Sequence, residues 1–135
     1  MVAPLKICPK CGRSSDVAFT ICECGTQLPE QTVSEVVAAW FEGEQTMYDA
    51  VHDSPEVAWV AILEMLERKL SDEDIASLAA GPLESLLAMH GQKFIERVEQ
   101  QAQRNPRFNH LLGGVWNPGE PDIWQRVQKA RKEVW

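Results

Sequence analysis

The chain has 135 residues, a formal net charge of −7 at pH 7 and 24% charged residues. This length fits one domain of ordinary size with a small module beside it. No apolar run is long enough to cross a bilayer, so no membrane partner is expected. The acidic balance disfavours binding of a phosphate backbone over a broad face. The first residues lack the long apolar core of a secretory signal, which predicts a cytoplasmic protein.

Four cysteines form two close pairs near the start of the chain, Cys8-Pro9-Lys10-Cys11-Gly12 and Cys22-Glu23-Cys24-Gly25. The first pair has the two-residue spacing that lets a tight turn aim both sulfurs at one point. The second pair has one intervening residue, so its turn must differ, although both sulfurs can still reach the same ion. Two such pairs offer four thiolates to one tetrahedral metal ion.

These two segments resemble the zinc-ribbon family over about the first 28 residues. The resemblance implies one structural Zn²⁺ held by Cys8, Cys11, Cys22 and Cys24. Between the pairs, Val17, Phe19 and Ile21 alternate with smaller or polar residues, a pattern typical of a strand in a short hairpin. A segment this short buries little apolar surface, so its folding depends on the metal.

Two other uses of the cysteines remain as alternatives. A disulfide is disfavoured because intracellular chains rarely keep one, and because closing the Cys22-Glu23-Cys24 pair would be strained. A redox-active first pair would be followed by a βαβ pattern, which does not follow here.

The rest of the chain carries strong helix signals and almost no strand signal. We expect helices to begin at Ser54-Pro55, at Ser71 with Asp74 as a capping box, at Asn105-Pro106 and at Asp122. Gly81 is expected to end one helix and Pro82 to begin the next. The predicted fold is mainly α, with a small zinc ribbon (1–28), a linker (29–32) and a bundle of six or seven short helices (33–135).

A second resemblance covers about residues 33–135. Its motifs are Trp59-Val60-Ala61-Ile62-Leu63-Glu64, Ala80-Gly81-Pro82-Leu83-Glu84-Ser85-Leu86-Leu87, His90-Gly91, Phe94-Ile95-Glu96-Arg97-Val98-Glu99, Asn105-Pro106-Arg107-Phe108 and Leu112-Gly113-Gly114-Val115-Trp116. They resemble an uncharacterised family of small bacterial helical domains. The resemblance implies a bacterial, cytoplasmic, all-helical domain and nothing about its chemistry.

The function predicted from these features is protein binding, as an adaptor or regulator rather than an enzyme. Trp40 and Trp59 lie on apolar helix faces and are expected in the core. Trp116, Trp124 and Trp135 either mark protein contacts or seal the core. The acidic middle of the chain favours one concrete version, an immunity-type inhibitor that covers a basic toxin.

Two rival functions follow from other residues. A nucleic-acid-associated regulator would use the ribbon and the basic last helix, whose cations are Arg126, Lys129, Arg131 and Lys132. An enzyme would be centred on His90 and would need Glu84 or Glu96 beside it in a concave pocket. The simpler interpretation of His90 is that it packs or caps at a helix end.

Overall fold

The computed structural model describes residues 5–8, 11, 14–16, 21–25, 33–43, 45–132 and 134. It divides into two compact units, residues 1–65 and residues 66–135. The predicted boundaries around the linker 29–32 lie outside the described residues and stay a prediction. Among the described residues, no helix is long and apolar enough to span a membrane.

The first unit opens with a two-stranded antiparallel sheet. Strand β1 (Leu5–Ile7) pairs with β2 (Ser14–Asp16), with Leu5 opposite Asp16 and Ile7 opposite Ser14. The connection between these strands therefore contains the first cysteine pair. The strand predicted over residues 17–21 lies, except for Ile21, outside the described residues.

Among its described residues the first unit also has three helices, α1 (Val33–Phe41), α2 (Thr46–Asp53) and α3 (Pro55–Leu66), and the last residue of α3 begins the second unit. Helix α1 ends just before Gly43, which adopts a φ of +78° that a side chain would disfavour. Helix α3 begins at Pro55 as predicted, because proline suits the first helical position. Helices α1 and α2 pack together, with the rings of Trp40 and Tyr48 6.0 Å apart.

The second unit begins with a long helical path, formed by α4 (Asp72–Leu78), a π-helical turn (Ala79–Leu83) and α5 (Glu84–Arg104). The predicted capping box is confirmed, because Ser71 Oγ accepts from Asp74 N–H and Asp74 accepts from Ser71 N–H. The predicted helix end at Gly81 and new start at Pro82 are wrong. A π turn absorbs the proline, which has no N–H to donate, and Glu84 N–H reaches back to the Ala79 carbonyl.

Helix α5 has 21 residues, so it is much longer than the short helices predicted. It bends at His90, whose φ of −132° and ψ of 28° leave the helical region. Its buried side recurs at helical spacing and comprises Leu86, Leu87, Gly91, Phe94, Ile95, Val98 and Ala102.

Two shorter helices, α6 (Pro106–Leu112) and α7 (Pro121–Ala130), pack against α5. Asn105 caps α6 as predicted, since its side-chain oxygen accepts from the N–H groups of Arg107 and Phe108. The predicted cap at Asp122 is wrong: α7 begins at Pro121, and Asp122 lies in its first turn. Proline at the first helical position provides the start that was assigned to the aspartate.

Candidate metal centre

The first cysteine pair lies in the connection between β1 and β2. Cys8 directly follows β1 and is fully buried, whereas Cys11 is exposed. The backbone N–H of Cys11 donates to Cys8 Sγ over 3.5 Å. Amide-to-sulfur contacts of this kind stabilise a thiolate ligand, so the local turn is suited to holding a metal.

The second pair lies in a tight turn from Cys22 to Gly25. The N–H of Gly25 donates to the Cys22 carbonyl over 2.8 Å, and Gly25 adopts a φ of +90°. Only glycine adopts that conformation readily, which explains its place directly after Cys24. Cys22 is buried and Cys24 exposed. The one-residue spacing therefore still permits a turn that carries both sulfurs.

The structure brings the four predicted sulfurs together. All four Sγ atoms lie within 4.8 Å of one another, with Cys8 and Cys24 3.6 Å apart and Cys11 and Cys22 3.5 Å apart. Sulfurs about 2.3 Å from a central ion sit about 3.8 Å apart at the corners of a tetrahedron. A disulfide would need about 2.05 Å, and all four thiols are free. The donor set therefore fits a single tetrahedral metal ion.

The electrostatics of the cluster agree with this fit. The backbone N–H of Cys24 favours the Cys22 thiolate, but loss of solvent and hydrogen bonds with Cys11, Cys24 and Cys8 outweigh it and raise the pKa of Cys22 to about 12. The crowding therefore disfavours the thiolate form of Cys22 on its own. A divalent cation supplies the compensating charge, so that metal binding and proton release go together.

His90 lies in the second unit, apart in sequence from the cysteine cluster. It lines an open cavity of about 250 Å³ together with Met89, Lys93 and Glu120. The described residues that line this cavity do not include Glu84 or Glu96, the two carboxylates that the enzyme hypothesis requires beside His90. The acid that does reach it is Glu120, which accepts a 3.5 Å hydrogen bond from Gln92.

A second concave surface surrounds Trp116 and is here called the Trp116 groove. It has a volume of about 300 Å³ and is lined by Val115, Trp116, Asn117, Trp124, Arg131 and Val134. The Trp116 side chain is 73% exposed and Val134 69% exposed. Val134 lies beyond the last helix, α7, which ends at Ala130. Trp59 is buried as expected, Trp40 and Trp124 are half-buried, and Trp135 lies outside the described residues.

Sequence reasoning treated Arg131 only as one charge of a basic tail. Its guanidinium lies 4.8 Å from the ring centroid of Trp124, and Nη1 donates to the Val115 carbonyl over 3.2 Å. Arg126, a second cation, lies within α7 and is hydrogen-bonded to Glu99. Val115 lies 16 residues from Arg131 and Glu99 lies 27 residues from Arg126, so no local signal in the sequence could have identified these two contacts.

A family model described as a family of unknown function (DUF6869) matches residues 28–134. The matched segment contains α1 to α7 and begins after Cys24, so the four cysteines precede it. This match confirms the expectation that the helical part of the chain belongs to a family without a known function. No curated protein and no solved structure matches the chain.

Proposed function

The chain belongs to the DUF6869 family of unknown function, and from this starting point we propose that it is an adaptor or regulator that binds another protein. In this proposal the cysteine cluster is a zinc ribbon that serves as a structural module. The helical part carries the contact surface. The whole acts in the bacterial cytoplasm, as the sequence resemblances imply.

Zinc is the metal that the donor set favours. Four thiolates at tetrahedral spacing select Zn²⁺ or iron, and soft sulfur ligands exclude magnesium and calcium. All four ligand positions are filled by protein, which is the arrangement of structural zinc sites; catalytic sites keep one position open. The short β1–β2 sheet that leads into the cluster is the local structure such an ion would stabilise.

The observation that carries the protein-binding proposal is the exposure of Trp116. A tryptophan that is 73% exposed and lies in a groove with Trp124 and Val134 leaves a large apolar surface in water. Apolar patches of this kind mark interaction sites, and tryptophan is among the residues that contribute most to binding. The groove therefore supports a protein partner for the second unit.

The two rival functions have less support. In the basic last helix, Arg126 is engaged by the carboxylate of Glu99. A cation held in this way is less available to a phosphate backbone than a free lysine would be. The enzyme hypothesis required Glu84 or Glu96 beside His90, and the cavity there presents Glu120.

Affinity purification with paired baits tests the proposal. Wild-type protein and two variants, Trp116→Ala and Met89→Ala, are used to capture partners from the native host. Met89 is a matched control because it is also a large exposed apolar residue, at 49%, and lies outside the groove. We expect a partner that wild type and Met89→Ala retain and Trp116→Ala loses. Identical partner sets for all three baits would contradict the proposal.

The immunity-type version makes an additional prediction about salt. If the partner is a basic toxin held by the acidic body, its affinity falls as ionic strength rises, because charge attraction is screened. Titrating the purified pair at low and high salt measures this directly. Affinity that does not change with salt would remove the immunity-type version and leave the broader proposal standing.

A further inference from the structure

The Trp116 groove combines an apolar wall with one fixed positive charge. Its wall is built by Val115, Trp116, Trp124 and Val134, and its charge is the guanidinium of Arg131. Among the described residues that line the groove there is no carboxylate. The one charged residue among the described lining residues is thus basic, whereas the formal net charge of the chain is −7.

Arg131 is held in place before any partner arrives. Its guanidinium stacks over Trp124 at 4.8 Å, and one N–H is used on the Val115 carbonyl. A guanidinium has five N–H donors in a fixed plane, so donors remain for a ligand. Since the group is already oriented, little side-chain entropy is lost when it binds a carboxylate in the two-pronged geometry that arginine favours.

We propose that the Trp116 groove binds a peptide segment of the partner protein in which an aliphatic or aromatic side chain adjoins an aspartate or glutamate. The apolar side chain lies against Trp116 and Val134, and the carboxylate pairs with Arg131. A groove of about 300 Å³ is at the small end of ligand pockets, which suits one or two side chains. The inference rests on the proposed protein-binding function and adds the chemistry of the segment that is recognised.

Fluorescence anisotropy with a matched peptide panel tests the inference on the full chain. The labelled, acetylated peptides each carry one Leu, Ile, Phe or Trp flanked by Glu, and the matched set carries Gln in place of Glu. We expect wild type to bind the best acidic peptide about tenfold more tightly than its amide twin, a typical gain for a charge-assisted pair.

Three variants assign that preference to the groove. Arg131→Gln should remove the difference between the acidic and amide peptides. Lys129→Gln, which changes an exposed cation of α7 outside the groove lining, should keep it. Trp116→Ala should weaken both peptides, and because Trp116 is largely exposed this variant is expected to fold. Circular dichroism and thermal melting check the fold of each variant.

The outcomes separate this inference from the proposed function. If acidic and amide peptides bind equally and Trp116→Ala weakens both, the charge preference is overturned while the groove remains a protein-binding site. If no peptide of either set binds wild type, the inference is overturned, and the paired-bait experiment judges the proposed function independently. If sedimentation shows that the protein self-associates and Trp116→Ala abolishes this, a second copy of the chain occupies the groove. That result would also overturn the inference.

Discussion

Gly91 lies against Ile123 so closely that helices α5 and α7 meet with no space for a side chain on the glycine. A Cβ placed on Gly91 would be 2.9 Å from Ile123 Cγ1, 3.2 Å from Cδ1 and 3.3 Å from Cγ2. Ile123 is itself buried, with 1% exposure, so it cannot swing into solvent. The glycine beside the bend at His90 thus serves close packing between helices.

Replacing Gly91 with alanine should destabilise the second unit. Alanine gains up to about 1 kcal/mol of helix propensity, but overpacking a buried contact costs about 1–3 kcal/mol. We therefore expect a net loss of stability. Urea denaturation measures the change, with Gln100→Ala on the exposed face of the same helix as control. Combining Gly91→Ala with Ile123→Ala should cost less than the sum of the single changes, because the collision is removed. A Gly91→Ala protein as stable as wild type would contradict this account.

Asn109 is a buried polar residue that ties three segments together. Its amide nitrogen donates to the carbonyls of Ala102 and Ala130, each over 3.1 Å, and its oxygen accepts from Lys132 N–H over 2.9 Å. Asn109→Ala should cost about 2–4 kcal/mol, because buried backbone groups then lose their partners. The measurement is again urea denaturation.

Asn109→Asp is the sharper variant, because it keeps the size and places an oxygen where the two carbonyls need a donor. It should destabilise as clearly as the alanine change. The exposed Asn117, whose side chain accepts only from Gly119 N–H nearby, is the control, and Asn117→Ala should cost less than about 1 kcal/mol. An aspartate variant with wild-type stability would show that the donated hydrogen bonds are unimportant.

The pair formed by Glu99 and Arg126 makes stability depend on pH. Hydrogen bonds from the Arg126 guanidinium hold the pKa of Glu99 below its usual value, although partial burial opposes them. A carboxylate with a lowered folded-state pKa stabilises the fold above its unfolded pKa of about 4.3, and this contribution is lost as pH falls through the folded value. Both groups are partly exposed, so the effect is modest.

We therefore expect Glu99→Gln to flatten the loss of stability on acidification while lowering stability slightly near neutral pH. Chemical denaturation at a series of pH values measures both effects. Glu67→Gln, which changes an exposed carboxylate outside this pair, is the control and should lose stability on acidification as wild type does. If Glu99→Gln and wild type lose stability along the same curve, the pair does not control the acid response.

Removing the metal should unfold the front of the chain and spare the helices. We expect one zinc per chain by elemental analysis, and chelation should melt residues 5–28 because such sites supply on the order of 10 kcal/mol of folding energy. Far-ultraviolet circular dichroism should keep its helical signal. Protein purified in reduced form without zinc, or with the visible absorption of iron, would contradict the zinc assignment.

Variants at Cys24 test the shortened second pair. Cys24→Ser should lower zinc affinity strongly, whereas Cys24→His keeps a good zinc ligand at an exposed position and should retain part of it. A chromogenic chelator competition measures both affinities. Equal affinity of wild type and Cys24→Ser would show that Cys24 is not a ligand.

Local signals predicted the helix starts well. Pro55 begins α3, Ser71 and Asp74 form a capping box, and Asn105 caps α6, because each effect depends on neighbours within one turn. The same rules were wrong where two local signals competed. At Gly81-Pro82, where a helix end and a new start were predicted, the helical path continues through a π turn. At Asp122, where a helix cap was predicted, the helix begins one residue earlier, at Pro121.

The candidate sites divide in the same way. The cysteine cluster was predicted from spacing, since two tight turns each bring a pair of sulfurs to one point. The enzyme hypothesis required Glu84 or Glu96 beside His90, whereas Glu120 reaches that cavity from a distant part of the chain. Two contacts of Arg131 and Asn109 could not be predicted, since Val115 lies 16 residues from Arg131 and Lys132 lies 23 residues from Asn109.

The amino-acid sequence by itself determined the mainly helical class, most helix starts and the clustering of the four cysteines, because these depend on residues close together in the chain. Only the tertiary structure decided which groups meet over long distances in the chain: Gly91 with Ile123, Asn109 with the Ala130 carbonyl, and Arg131 with the Val115 carbonyl. The physical reason is that packing selects among many possible long-range neighbours by shape and by the need to satisfy buried polar groups. Neither constraint is visible in a short stretch of sequence.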